Sequence, residues 1–383
     1  MQTALTETHA LVQKTARDYA QKYIAPEAAR LDKEGRFPTE LLKGLADLGL
    51  MAVNLPEDLG GSNAGTVAYA LAMQEVAKAC ASTAVTMSVT NMVGEVIATF
   101  GTRAQALAYC PKLASGEFAA GSFALSEPGA GSDPGGIVTT AMREGNEYVL
   151  EGNKQWITSG AYAGVFIVWA RTAPRDTHPG GRGLSCFLVE AGSPGLRIGR
   201  AEDKMGLRAS NTVSLSFEGV RVPPSAMLGE PEGAFKIGMM ALDGGRIGIA
   251  SQAIGIARSA HEASVSYAKD RTAFGKAIAE FQALQWMMAD SQTEIDAADL
   301  LCMRAACLKE SDRPFSHEAS MAKVYASEMA VRVSNRAVQI LGGYGYTREF
   351  PVERNLRDAR VTTIYEGTSE IQRIVIARAL LSD

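Results

Sequence analysis

The rhythm of apolar and polar positions changes twice along the chain, and each change marks a boundary. Over the first stretch, to about residue 115, apolar residues recur at helical spacing, as in Leu41-Leu42, Leu45 and Leu48. The run Asn54-Leu-Pro-Glu-Asp-Leu-Gly-Gly61 interrupts that pattern and reads as a loop. Val67–Cys80 and Val85–Phe100 are nearly uncharged, which predicts helices apolar on several sides and therefore buried. Gly94, inside the second of these, is its weak point.

From about Gly116 to Gly233 the period drops to two. Tyr148–Leu150, Gln155–Thr158, Val165–Trp169, Ser185–Val189 and Val213–Phe217 read as short strands separated by glycine-rich turns. Val213, Leu215 and Phe217 alternate with serines, the pattern of a half-buried strand. Evenly spaced strands of this kind predict a small barrel or sandwich. Ala173–Gly183, rich in Gly, Pro and Arg, reads as an exposed loop.

After Gly233 helical spacing returns. Leu284, Met288, Ser291, Ile295, Ala298, Cys302 and Ala305 alternate in steps of three and four, the seam of a long helix in a bundle. Met321–Leu341 reads as another long helix, ended by Gly342-Gly343. The predicted class is α+β. Residues 1–120 form a helical domain, 121–233 a β domain of barrel type, and 234–383 a helical bundle.

Composition narrows the function by exclusion. The 383 residues are 46% hydrophobic and 21% charged, the balance of a soluble globular protein of two or three domains. A net charge of −4 gives no basic surface for nucleic acid. Five scattered cysteines form no Cys-x-x-Cys pair, and four histidines stand far apart, so neither a disulfide framework nor a metal site is expected. No apolar run reaches membrane-spanning length and no signal segment opens the chain, which makes the cytoplasm the expected compartment.

Candidate chemistry centres on Arg360–Arg373. Glu366 stands there between apolar Ile364-Tyr365 and Gly367, whose missing side chain lets a ligand approach the backbone. Ser369 and Gln372 have the spacing of a capping box, which predicts a helix start and puts Glu366 in the loop just before it. Phe123-Ala-Leu-Ser-Glu-Pro-Gly-Ala-Gly-Ser-Asp133 reads as a strand entering a turn whose free N–H groups can cradle an anion or a flavin edge. Its spacing is not the dinucleotide fingerprint. Lys154-Gln-Trp-Ile-Thr-Ser159 reads as a buried strand whose Trp156 can stack beside a planar ring or simply fill a core. Asp243 and Arg246, three apart, open a helix and share one of its faces, as a site or as a surface ion pair. Arg271–Lys276 reads as an interface turn, and Gln339–Gly343 as a helix end with exposed glycine backbone.

In this order the pieces resemble the acyl-CoA dehydrogenase family over nearly the whole chain. The most specific runs are Leu125–Asp133, Gln339–Tyr346 and Ile364–Gln372, and Leu242–Gln252 looks most like short-chain (butyryl) and short branched-chain members. The resemblance implies a helical domain, a middle β domain and a four-helix bundle. It also implies one FAD per subunit, a homotetramer, an acyl-CoA substrate, and electron-transferring flavoprotein as oxidant, in fatty acid β-oxidation or branched-chain amino acid catabolism. By the same resemblance Phe123, Leu125, Ser126, Gly131 and Ser132 contact the flavin, and Ser132 also touches CoA. Trp156, Ile157 and Thr158 lie against the isoalloxazine, and Thr368, Ser369 and Glu370 hold FAD beside the base. Arg271, Phe274, Gln282, Gln339, Gly342 and Gly343 reach a neighbouring subunit's FAD. Asp243, Arg246 and Gly367 line the substrate site.

Glu366 is then the base that takes the α-proton, while flavin N5 accepts the β-hydride to give a trans-2-enoyl-CoA. Where many relatives have Tyr, this chain has Phe123, so that hydroxyl is missing. Isovaleryl- and long-chain-type members place their glutamate beside the bundle arginine, where this chain has Gly245, so Glu366 has no rival. An acyl-CoA oxidase, or a non-catalytic flavin-binding protein of the same fold, is the alternative. Burial raises a carboxylate's pKa and a helix N-terminus lowers it; the sequence leaves open which effect wins at Glu366.

Overall fold

Among residues 5–381, which the computed structural model describes, the first helical stretch forms six α-helices. They are α1 (Glu7–Tyr19), α2 (Ala28–Glu34), α3 (Thr39–Asp47), α4 (Gly65–Ala79), α5 (Ala81–Phe100) and α6 (Arg103–Ala114). The two outermost ends of the expected domains, 1–4 and 382–383, lie outside the described residues. α4 and α5 are the two uncharged segments, and their neighbours explain why they are apolar all round. α4 packs on α1 and on two helices of the C-terminal bundle, and α5 packs on α6, the first strand and the bundle. Gly94 does not weaken α5 to the point of breaking it. A Cβ there would stand 3.0 Å from Leu55 Cδ1, so the glycine admits a close neighbour.

Eight strands follow. They are β1 (Ala120–Ala124), β2 (Thr140–Glu144), β3 (Glu147–Thr158), β4 (Ala163–Arg171), β5 (Leu184–Glu190), β6 (Leu196–Ile198), β7 (Thr212–Val222) and β8 (Met227–Leu228). They form one mixed sheet in the order β6-β7-β3-β2-β4-β5-β8, with β1 parallel to β4. β4 is apolar at every position because both its faces are covered. Phe166, Val168 and Ala170 join the sheet's own core, while Val165, Ile167 and Trp169 join the core shared with the helices. Two expectations need correcting here. The segments Tyr148–Leu150 and Gln155–Thr158 are one strand, β3, with register shifts at Leu150/Glu151 and Lys154/Ile157. Gly152 between them is no turn; a Cβ there would stand 2.6 Å from Thr139 Oγ1 and 2.8 Å from its Cα. Strands β2, β6 and β8, all short, were not foreseen.

The C-terminal part is α7 (Ala234–Asp270), the hairpin β9 (Thr272–Ala273) and β10 (Lys276–Ala277), α8 (Gln282–Glu310), α9 (Ser316–Leu341), α10 (Val352–Thr362) and α11 (Ser369–Leu381). α7, α8 and α9 pack on one another, and α10 and α11 lean on α9. On α8 the expected seam is buried at Ser291, Ile295, Ala298, Cys302 and Ala305. Leu242–Arg246 does not open a helix, as its sequence suggested. It lies well inside α7, where Gly244 and Gly245 serve packing rather than termination.

Candidate active site

Glu366 lies between α10 and α11 in a loop held at three points. Its φ of +53° is left-handed, a conformation that costs a non-glycine residue of order 1 kcal/mol and that gathers at functional positions. Gly367 follows at φ +87°, and a Cβ on it would stand 2.6 Å from Gln372 Nε2. That amide donates to the carbonyls of Glu366 (3.1 Å) and Gly367 (2.9 Å). Lys323 Nζ, from α9, donates to the Gly367 carbonyl at 2.6 Å. The cap of α11 differs from the expected one. Thr368 Oγ1, not Ser369, accepts from a backbone N–H, that of Ile371 at 3.3 Å, and Gln372 turns back to the loop.

This scaffold leaves the Glu366 carboxylate without a partner. No hydrogen bond or ion pair among the described residues reaches it, and its Oε2 is buried. Burial pushes its pKa up to about 7, against the opposing charges of Lys323 and Arg246. Burial thus outweighs the two neighbouring cations. The room for the carboxylate comes from α7. A Cβ at Gly245 would stand 2.7 Å from Glu366 Oε2 and 3.3 Å from Met92 Sδ of α5. A side chain at 245 and the present position of Glu366 exclude each other.

Arg246 and Asp243 are a buried pair rather than a surface one. The Arg246 side chain is 5% exposed and bonds Asp243, with Ser320 Oγ accepting at 3.2 Å. Ser316 Oγ donates to Asp243 at 2.9 Å. Burial pushes the Asp243 carboxyl up, with Arg246 opposing. The Arg246 Nε, Ser369 Oγ and Gln372 Oε1 are buried without protein partners, as is Glu366 Oε2. Four orphaned polar atoms around one loop fit a polar ligand better than a closed core.

A second group forms a platform on the sheet. The turn after β1 is tied to β3 by the Gln155 N–H donating to the Ser126 carbonyl (2.9 Å), and β1 itself by Ser122 Oγ donating to the Thr158 carbonyl (2.7 Å). Trp156 is not buried. It is 61% exposed at φ +64°, because the irregular register of β3 turns it outward while Ile157 stays in the core. Phe123 is half-buried against Trp169, and Leu125 is buried beside α5. Gly131 and Ser132 lie exposed on the turn, and a Cβ at Gly131 would meet nothing within 4 Å. Exposed indole, open turn and free backbone together fit a flat ring system. α5 lies near both groups: Met92 Sδ and Glu366 Oε2 flank the Cβ position of Gly245, and Thr90 Oγ1 accepts from the Gly121 N–H of β1 at 3.3 Å.

The third group sits elsewhere. Phe274, at the tip of the β9–β10 hairpin, is 95% exposed, and Arg271 stacks over Tyr344. Gln282, Gln339, Gly342 and Gly343 are exposed at the same end of the bundle. Sixteen residues of α9 separate Gln339 from Lys323, roughly 24 Å of helix. This group therefore lies far from the chain's own Glu366.

Sequence reasoning missed Lys323, which shares a helical stripe with Ala319, Ala326 and Ala330, all fully buried. A lysine on an apolar stripe was the available signal. It also missed the pair inside the Leu125–Asp133 motif. Lys154 Nζ donates to Glu127 (2.8 Å) and to the Leu125 carbonyl (3.2 Å). The Glu127 carboxylate also accepts from the N–H groups of Val138 and Thr139. Burial pushes the Glu127 carboxyl up, but Lys154 and these donors hold it below its usual range.

Comparison with known proteins covers the whole chain. Residues 6–117 match the family model described as acyl-CoA dehydrogenase, N-terminal domain, residues 122–220 its middle domain, and 234–381 its C-terminal domain. The short-chain specific acyl-CoA dehydrogenase of Bos taurus mitochondria is 49% identical over 98% of this chain and 91% of its own length. Butyryl-CoA dehydrogenase from Megasphaera elsdenii superposes with a TM-score of 0.97 at 42% identity, each chain fully covered. The same figures describe a chain from a structure of the electron transferring flavoprotein of Acidaminococcus fermentans. Solved relatives at 29% and 27% identity hold FADH2 and FAD.

Proposed function

The chain belongs to the acyl-CoA dehydrogenase family, and from that premise we propose that Glu366 takes the α-proton of a short-chain acyl-CoA. Membership makes it an FAD-dependent oxidoreductase acting on acyl-CoA. The observation that carries the further step is the buried, unpartnered Oε2 of Glu366, with its pKa raised to about 7. A base poised near operating pH is half ionised yet strong enough to draw a weakly acidic proton. A carboxylate neutralised by a direct salt bridge would be far weaker.

The other residues prepare that transfer. Lys323 and Gln372 grip the Gly367 and Glu366 carbonyls, which leaves the backbone of the base fixed while its carboxylate stays free. The buried Asp243–Arg246 pair, steadied by Ser316 and Ser320, lies beside the base and suits the polar part of a thioester substrate, with Ser132 and Gly367. FAD would be held by Phe123, Leu125, Ser126, Gly131 and Ser132, by Trp156, Ile157 and Thr158, and by Thr368, Ser369 and Glu370. When bound, it supplies the acceptor for the β-hydride. Short-chain preference is supported by the names of the relatives above. Electron-transferring flavoprotein as oxidant is supported by the matching chain in a structure of that protein.

A panel of acyl-CoAs from C4 to C12 with branched isomers, scored by anaerobic bleaching of the flavin, tests the substrate reading. The specificity constant is expected to peak at C4 or a short branched chain. A peak at C8 or longer contradicts it. Assembly follows from the third group, which has nothing to contact within its own chain's catalytic site and would complete a neighbour's FAD site. A tetramer is expected on a sizing column, whereas a stable monomer with full FAD occupancy would rule that out.

A further inference from the structure

Arg171 ends β4 on the strand face it shares with Trp169, and it is only 4% exposed. Its guanidinium has five N–H donors, and all five go to backbone carbonyls. Nε donates to Ile137 at 2.6 Å. Nη1 donates to His178 (3.3 Å) and Arg182 (3.0 Å). Nη2 donates to Gly135 (2.7 Å) and Gly180 (2.6 Å). These carbonyls belong to two loops. One, 134–137, continues the turn that carries Gly131 and Ser132. The other is the glycine-rich loop Ala173–Gly183.

The two loops touch where Arg171 binds them: a Cβ at Gly135 would stand 3.2 Å from Gly180 Cα. The exit of the Ser132 turn is also held by Glu127, whose carboxylate accepts from the N–H groups of Val138 and Thr139. Opposite the second loop stands the start of α7, where a Cβ at Gly181 would collide with the Phe235 ring. Arg182, Phe235 and Lys236 line the cleft between them. Phe235 and Arg246 are eleven residues apart on α7, about three turns, so they share a face roughly 16 Å long. A thioester seated beside Arg246 can run its arm along that face to the cleft. Glycine-rich backbone loses the most conformational freedom on ordering, so the separation of the two loops rests on the guanidinium that joins them.

We propose that Arg171 is a positioning residue for the CoA arm of the substrate: without touching that arm, it sets the Ser132 turn against the Gly180 loop. This rests on the reading of Ser132 as a CoA contact. The bonds that Arg171 makes are the same with and without substrate, so its work is done before binding. Its loss leaves the loops free to part, and the substrate must then order them itself.

The test measures kcat and KM of FAD-loaded enzyme for butyryl-CoA and for S-butyryl-N-acetylcysteamine, which keeps the thioester and lacks the nucleotide and most of the pantetheine arm. Three variants are compared with wild type. Arg171→Met removes the clamp. Arg171→Lys keeps the charge with three donors in place of five. Gly135→Ala leaves Arg171 in place and wedges the loops apart by a few tenths of an ångström. Wild type is expected to favour the CoA ester. In Arg171→Met the ratio of kcat/KM, CoA ester to cysteamine ester, is expected to fall about tenfold, the worth of one hydrogen bond to a charged group. The fall should come from a higher KM for butyryl-CoA at little-changed kcat. Arg171→Lys and Gly135→Ala are expected to lower the same ratio about two- to fourfold. A merely structural role would change both substrates by one factor and leave the ratio at its wild-type value. That result, with wild type still favouring the CoA ester, overturns the positioning role and leaves the Ser132 reading standing. A wild type that does not distinguish the two esters overturns both. If Arg171→Met does not fold, Gly135→Ala, which removes no donor, decides by the same ratio.

Discussion

The molecule buries two lysines completely, each near a glutamate, and puts them to opposite use. Beside the turn after β1, Lys154 binds Glu127 Oε1 directly at 2.8 Å, the Thr139 N–H donates to the same oxygen, and the Val138 N–H fills the other. That carboxyl is held below its usual range while burial lowers the lysine to about 8. Beside Glu366, Lys323 gives its hydrogen bond to the Gly367 carbonyl instead, and burial lowers it to about 7. Glu366 keeps an empty Oε2 and a pKa of about 7. The presence of a cation does not decide whether a buried glutamate is inert or basic. The atom that receives the cation's hydrogen bond does.

The comparison is broken most severely at Glu366 itself. Glu366→Gln keeps size and shape, and desolvating an amide costs less than desolvating a charge. Fold, flavin and enoyl-CoA binding should survive, while bleaching by butyryl-CoA falls at the upper end of about 10²–10⁴-fold or beyond. Reduction at near wild-type rate would mean that another residue is the base. On the other side, Lys154→Met leaves Glu127 buried and unpaired. Losing one partner of a buried pair costs about 3–5 kcal/mol, read as a lower free energy of chemical denaturation. A loss under about 1 kcal/mol would show that Glu127 finds solvent or a proton cheaply. The smallest effect is expected from Lys323→Met. Without that charge, burial is less opposed at Glu366, so its pKa rises. The acid limb of the rate of flavin reduction should then move to higher pH; an unmoved limb would mean that Lys323 acts only as a clasp.

Much of the fold was legible because periodicity reports burial. The switch from helical spacing to a period of two and back located the sheet between two helical parts, and the uncharged stretches became α4 and α5. The Arg360–Arg373 run placed Glu366 correctly before α11. What failed depended on contacts distant in sequence. Gly152, read as a break between strands, is a point where Thr139 approaches. Gly244-Gly245, read near a helix start, lies mid-helix because the neighbours of α7 need the space. For Trp156 the sequence left stacking beside a ring and filling a core both open, and the bulge in β3 that turns it outward was not legible.

The most direct test of the account is the pH dependence of the second-order rate constant for anaerobic flavin reduction by butyryl-CoA, which reports the free enzyme's base. Below its pKa the base is protonated and cannot accept the α-proton. The rate constant should therefore be level above about pH 7 and fall about tenfold per unit below it, following the raised pKa of Glu366. A profile that stays level down to the ordinary carboxylate range, near pH 4.5, would contradict the claim that a free, buried Glu366 carboxylate is the base.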